Sequence, residues 1–178
     1  MRRLLRVVRT EAGYSMTELL VVMVILGTVL AGLTTAFVGG SKAEVDLNRR
    51  VQAQIQAAGA FDRLRRDVHC ASSATISGAT MTLSGCSSSG PVAWSAAASS
   101  SCTATGYTLY ALSRTFNSFT KQYADCLTSS SIFTYVAPVA GASLAKVHAV
   151  ITASVNPAKS VETFALQDDI VMRNSARA

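Results

Sequence analysis

The sequence predicts an α+β protein: a long N-terminal helix, membrane-spanning in its first half, packs on a C-terminal antiparallel β-sheet domain. Three observations carry that prediction. Leu19 to Val38 is a run without a charge or a proline, apolar residues then recur at intervals of three and four from Leu47 to Val68, and beyond Ala71 the pattern changes to alternation. The chain of 178 residues is long enough for one ordinary domain plus a membrane segment, and too short for two full domains. With 49% hydrophobic and 15% charged residues it is too apolar to be disordered.

The first thirteen residues form a basic leader. Arg2, Arg3, Arg6 and Arg9 against Glu11 give it a charge of +3, half of the net +6 of the chain. Such residues beside a membrane span stay on the cytoplasmic side, so the N-terminus is expected inside and everything after the span outside. The leader ends in Ala12-Gly13, and Tyr14-Ser15-Met16-Thr17-Glu18 opens directly into the apolar run. At 1.5 Å per residue that run spans the roughly 30 Å hydrocarbon core of a bilayer.

The helix does not stop at the membrane edge. Leu47, Val51, Ile55, Ala58, Phe61, Leu64 and Val68 make one apolar stripe, with Arg49, Arg50, Gln52, Gln56, Asp62, Arg63, Arg65 and Arg66 on the other faces. A helix from Tyr14 to Val68 would be about 80 Å long, with Gly39-Gly40 and Gly59 as weak points. The expected segments are a leader over 1–13, a membrane helix over 14–40, its amphipathic continuation over 41–68 and an extracytoplasmic β-rich domain over 69–178.

Ala74–Ser77 and Thr80–Ser84 around Gly78-Ala79 read as a short hairpin. Ser87 to Thr105 is a low-complexity loop. Tyr107–Ser113, Ile132–Val136, Lys146–Val155 and Val161–Leu166 are strands rich in β-branched and aromatic residues. In the third, Val147, Ala149, Ile151, Ala153 and Val155 fall on one face and Lys146, His148, Thr152 and Ser154 on the other. Cys70, Cys86, Cys102 and Cys126 all lie in the outer part, where an even count points to two disulfides. Of three connectivities the local one, Cys70 with Cys86 and Cys102 with Cys126, is favoured, because it closes loops without prior docking of distant elements.

A basic leader ending in glycine, an apolar or aromatic residue after it, and a glutamate five positions after the glycine form a recognisable pattern. Gly13, Tyr14 and Glu18 fill those places. The sequence resembles type IV prepilins and the pseudopilins of type II secretion over residues 2 to about 38. Leu64-Arg-Arg-Asp-Val, Tyr107-Thr-Leu with Leu112-Ser-Arg, and Val171-Met-Arg-Asn are similar to minor pilins of the J or W type. The resemblance implies a pilin-like fold, cleavage between Gly13 and Tyr14 by a prepilin peptidase, and N-methylation of Tyr14 by the same enzyme. It implies that Glu18 pairs with the N-terminal ammonium of a neighbouring subunit during assembly into a pilus or pseudopilus. The partners it implies are other pilins or pseudopilins, an inner-membrane platform protein, an assembly ATPase and membrane lipid. Major pilins carry a proline at the twenty-second mature position, and here Thr35 stands there.

Each signal has a plainer reading. Ser15-Met16-Thr17-Glu18 is also a capping-box pattern, and a secretory signal peptide also has a basic start, although its apolar core is usually about 7 to 15 residues. The cysteines contain no C-x-x-C pair, so no metal site is expected. His69 and His148 read as surface residues. No serine sits in a nucleophile motif and the acidic residues form no catalytic pair, so neither enzymatic activity nor a cofactor is expected. Arg63, Arg65 and Arg66, beside Asp62 and Asp67, read as solvated charges in local ion pairs rather than a nucleic-acid site, since no aromatics interleave them. The alternatives are a single-pass membrane protein whose outer domain binds a ligand or DNA, and a filament-tip adhesin.

Overall fold

A computed structural model describes residues 15–86, 90–102, 106–139, 143–157 and 162–175. It contains one long helix, α1 (Met16–Cys70), and eight strands: β1 (Ser73–Ser77), β2 (Thr80–Ser84), β3 (Val92–Ala98), β4 (Tyr110–Phe116), β5 (Phe119–Leu127), β6 (Phe133–Val136), β7 (Lys146–Ser154) and β8 (Thr163–Val171). This is the α+β arrangement expected, an apolar N-terminal helix followed by a curled antiparallel sheet. Gly39, Gly40 and Gly59 all lie within α1. Two compact units divide the chain between Glu44 and Val45.

In the first unit every described residue from Ser15 to Glu44 is exposed. The hydroxyls of the apolar run have partners nonetheless. Thr28 Oγ1 donates to the Ile25 carbonyl at 2.8 Å, Thr34 Oγ1 to Leu30 at 2.7 Å and Thr35 Oγ1 to Gly32 at 2.8 Å. The helix thus satisfies its own polar side chains, the condition for lying in an apolar medium.

In the second unit the antiparallel order is β1-β2-β3-β4-β5-β7-β6, with β8 paired along the whole of β7. The β1–β2 hairpin turns at Gly78 with Ser77 opposite Thr80, and β7 buries Val147, Ala149, Ile151, Ala153 and, just past its end, Val155, all as the alternation predicts. Ser154, expected on the polar face, is buried.

Two strands are absent from the sequence reading and two others differ from it in their bounds. β3 occupies part of what reads as the loop Ser87–Thr105, and its alternation is plain in hindsight: Val92, Trp94 and Ala96 point inward. β5 has no counterpart in the expectation. It follows β4 through Asn117 and Ser118, both in the left-handed region at φ 49° and 63°, so Phe116 pairs with Phe119 across a two-residue turn. β4 itself lies three residues beyond the expected Tyr107–Ser113, and β8 extends to Val171, past the expected end at Leu166.

The core lies between the inner face of the sheet and residues 53–68 of α1. Trp94, Met81, Leu83, Leu112, Leu127, Ile151 and Ile170 meet Ala57, Ala60, Phe61, Leu64 and Val68 there. The upper half of the expected stripe is corrected. Ala53 and Ala57 are buried, whereas Leu47, Val51 and Ile55 are 63%, 41% and 60% exposed and Ala58 is exposed too. Alanines bring the helix axis close to the sheet where bulkier side chains would hold it away, so the buried face follows small residues rather than the most apolar ones.

Candidate functional site

Two regions carry the residues singled out by the sequence. The first is the start of α1. Gly13 and Tyr14 lie outside the described residues. Ser15 precedes the helix, and its carbonyl accepts from the amides of Glu18 at 3.0 Å and Leu19 at 3.1 Å. Its hydroxyl pairs with Thr17 Oγ1 at 2.8 Å, so the reciprocal side-chain bonds of a capping box are not made among the described residues. The Glu18 carboxylate is exposed in the first turn and has no hydrogen-bond or ion-pair partner among them. Its position near the positive end of the helix dipole favours negative charge.

The second region is the C-terminal end of α1, where residues 67–70 meet Arg114 of β4 and the segment from Val171 to Asn174. Asp67, expected as a solvated charge, is 4% exposed. Arg114 of β4 donates to it twice, Nε to Oδ2 at 2.6 Å and Nη2 to Oδ1 at 3.2 Å, and Trp94 Nε1 donates to Oδ2 at 3.0 Å. Arg63 Nε approaches Oδ1 at 3.5 Å. Asn174 Nδ2 donates to the Cys70 carbonyl at 2.9 Å, satisfying one of the orphan acceptors at the helix end, and Met172 is fully buried. His69 Nδ1 donates to the Val171 carbonyl at 2.8 Å, while Arg65 pairs with Asp168 at 2.8 Å. Asp62 and Arg66, by contrast, form the exposed local pair expected of them.

Both disulfides are local. Cys70 joins Cys86, and Cys102 joins Cys126. Gly85, at φ 89°, permits the first, since a Cβ there would collide with Ser72 Oγ. At the second, β5 carries one extra residue between the Tyr110–Leu127 and Leu112–Ala124 pairs, and Cys126 sits in that bulge at φ 58°. Asp125 beside it fixes the opposite arm of the bridge, accepting from Ser99 Oγ at 2.6 Å, from Ser101 Oγ and from the Cys126 amide at 2.8 Å. Burial pushes the Asp125 carboxyl up, but hydrogen bonds from Ser101, Ser99, Cys126 and Gln122 outweigh it and hold the group below the ordinary carboxylate range. Cys102, Asp125 and Cys126 lie together, but a disulfide leaves no thiolate for a metal.

On β7 and β8, Asp169 accepts from Lys146 Nζ at 2.7 Å and from His148 Nδ1 at 2.6 Å. These bonds, Lys146 first, hold the Asp169 carboxyl below its usual range. His148 is thus partnered on a half-exposed face.

Residues 8–34 match the family described as the prokaryotic N-terminal methylation motif. No curated protein and no solved structure gives a match. The matched stretch ends inside the exposed apolar part of α1, which is long and apolar enough to cross a membrane. Motif and helix together support a type IV pilin-like protein and are consistent with membrane anchoring; the motif indicates a structural substrate of prepilin peptidase rather than an enzyme, and implies assembly with other pilins.

Proposed function

We propose that the chain is a minor pilin or pseudopilin of the J or W type. It is cut between Gly13 and Tyr14, methylated on Tyr14, and assembled into a type IV pilus or a type II secretion pseudopilus. The observation that carries the reading is the coincidence of the methylation motif over residues 8–34 with a helix whose apolar run from Leu19 to Val38 has no cover among the described residues. Before assembly the span lies in the inner membrane with the leader cytoplasmic and the β-rich unit outside. A platform protein and a cytoplasmic ATPase lift the subunit. The apolar segment then exchanges lipid for the apolar segments of its neighbours, so extraction exposes little of it to water.

Glu18 sets the register in this scheme. Its carboxylate has no partner within the described chain, and a charge entering an apolar bundle unpaired costs several kcal/mol. The methylated ammonium of a neighbouring Tyr14 is the complementary charge, and the residues before and after the cleavage point thereby acquire separate roles. Mass spectrometry of the membrane form tests the premise: the mature chain should begin at N-methyl-Tyr14. An intact Met1, or a start near Phe37, would refute it.

A further inference from the structure

Beside the last turns of α1 is a cleft of about 330 Å3 whose polar wall is Arg63, Arg66, Asp67 and Arg114, with Phe116 and the Cys70–Cys86 bridge closing the rest. The charges here do not cancel. Asp62 holds Arg66 and Asp67 holds Arg114, which leaves the Arg63 guanidinium as a surplus positive charge. Asp67 has little left to offer it. Oδ2 already accepts from Arg114 Nε and Trp94 Nε1, and Oδ1 accepts from Arg114 Nη2. Arg63 Nε, 3.5 Å from Oδ1, is buried and makes no hydrogen bond. A buried donor without an acceptor is destabilised relative to one with an acceptor, and a guanidinium presents further donors in a fixed planar fork.

We propose that this cleft is a carboxylate-binding site that takes one acidic side chain of a partner protein. The surplus of a single charge matches a monoanion, and the planar fork matches a carboxylate. A nucleic-acid strand would call instead for several separated cations and free aromatic faces. Phe116 is not free, because the Arg114 guanidinium lies 5.4 Å above its ring. Arg65, next in sequence, pairs with Asp168 and lies outside the cleft, so it contributes no charge to the site. The inference stands on the second unit alone and is independent of filament assembly.

The full chain in detergent micelles offers a direct probe, since Trp94 is the only tryptophan and its indole N–H bonds to Asp67. The blocked amino acid N-acetylglutamate amide should shift the Trp94 indole N–H resonance saturably, and the neutral N-acetylglutamine amide should not. Arg63→Gln should weaken the glutamate analogue about tenfold, or about 1.4 kcal/mol. Arg65→Gln should leave it unchanged. Arg63→Lys, which keeps charge and loses the fork, should fall between wild type and Arg63→Gln, and it carries the test if Arg63→Gln fails to fold. Equal responses to the two analogues would overturn the site. So would equal losses in the Arg63→Gln and Arg65→Gln proteins, wild-type affinity in Arg63→Lys, or tighter binding of a single-stranded oligonucleotide through Arg63.

Discussion

Removing the Asp67 carboxylate strands the Arg114 guanidinium and the Trp94 indole at once, and takes away the negative charge beside Arg63. Asp67 is 4% exposed and the Arg114 side chain 14%, so water cannot replace the lost acceptor without opening the core. Breaking a buried pair from one side typically costs about 3 to 5 kcal/mol, and Asp67→Ala should fall in that range. Asp67→Asn keeps an oxygen for Trp94 and should cost less, about 2 to 3 kcal/mol. Arg114→Met should be milder still at about 2 kcal/mol, because Arg63 remains beside the carboxylate and Trp94 still donates to it. The double variant Asp67→Asn/Arg114→Met should be more stable than the sum of its parts by at least about 1 kcal/mol. Urea unfolding of the oxidised full chain in micelles, followed by Trp94 emission, reads these differences at the site itself. A cost below about 1 kcal/mol for Asp67→Ala, or strict additivity in the cycle, would refute the account of Asp67 as a buried hub.

Three further outcomes are expected. Glu18→Ala should still insert, be cleaved and fold its β-rich unit, yet enter filaments poorly beside wild-type partners; normal incorporation, measured in sheared filaments, would remove the register role. Ile55→Ser lies on the exposed side of α1 and should change the stability of the second unit by no more than about 0.5 kcal/mol by urea unfolding, whereas Leu64→Ala, fully buried, should cost about 2 to 5 kcal/mol. The depressed carboxyl of Asp125 contributes stability that is full above its unfolded value near about 3.9 and is lost as pH falls through the lower folded value. Asp125→Asn should therefore flatten the stability profile below about pH 4 and leave the slope above about pH 5 unchanged, as acid titration of unfolding would show.

The parts of the fold legible in sequence are those whose pattern is local. The β1–β2 hairpin announces itself through Gly78, and β7 through five inward apolar residues at strict alternation. β3 is hidden by its four alanines and Ser95, which carry little strand propensity, so that Trp94 is the strongest mark in it. β5 is hidden by Lys121, Gln122 and Asp125 and by a turn of Asn117-Ser118 in place of the commoner Asn-Gly. Asp67 could not be read as buried, because its partners lie 27 and 47 residues downstream and a carboxylate two positions from Arg65 looks like any solvated helix charge. The face of α1 was misplaced above Phe61 for a related reason: periodicity finds apolar residues, while close approach selects small ones such as Ala53 and Ala57. Among the candidate site residues, the cysteine pairing followed from short separations of 16 and 24 residues.

The threonines of the apolar run bear on how freely the span can change its surroundings. Because Thr28, Thr34 and Thr35 each return a hydrogen bond to a carbonyl three or four residues earlier, the segment presents no unmet polar valence to whatever encloses it. Acyl chains and a sheath of other helices are then nearly equivalent hosts, differing in packing alone. A span of this kind is indifferent to its medium and has little preference for one sliding position over another, so that in the proposed assembly a register would have to come from the single carboxylate at its head.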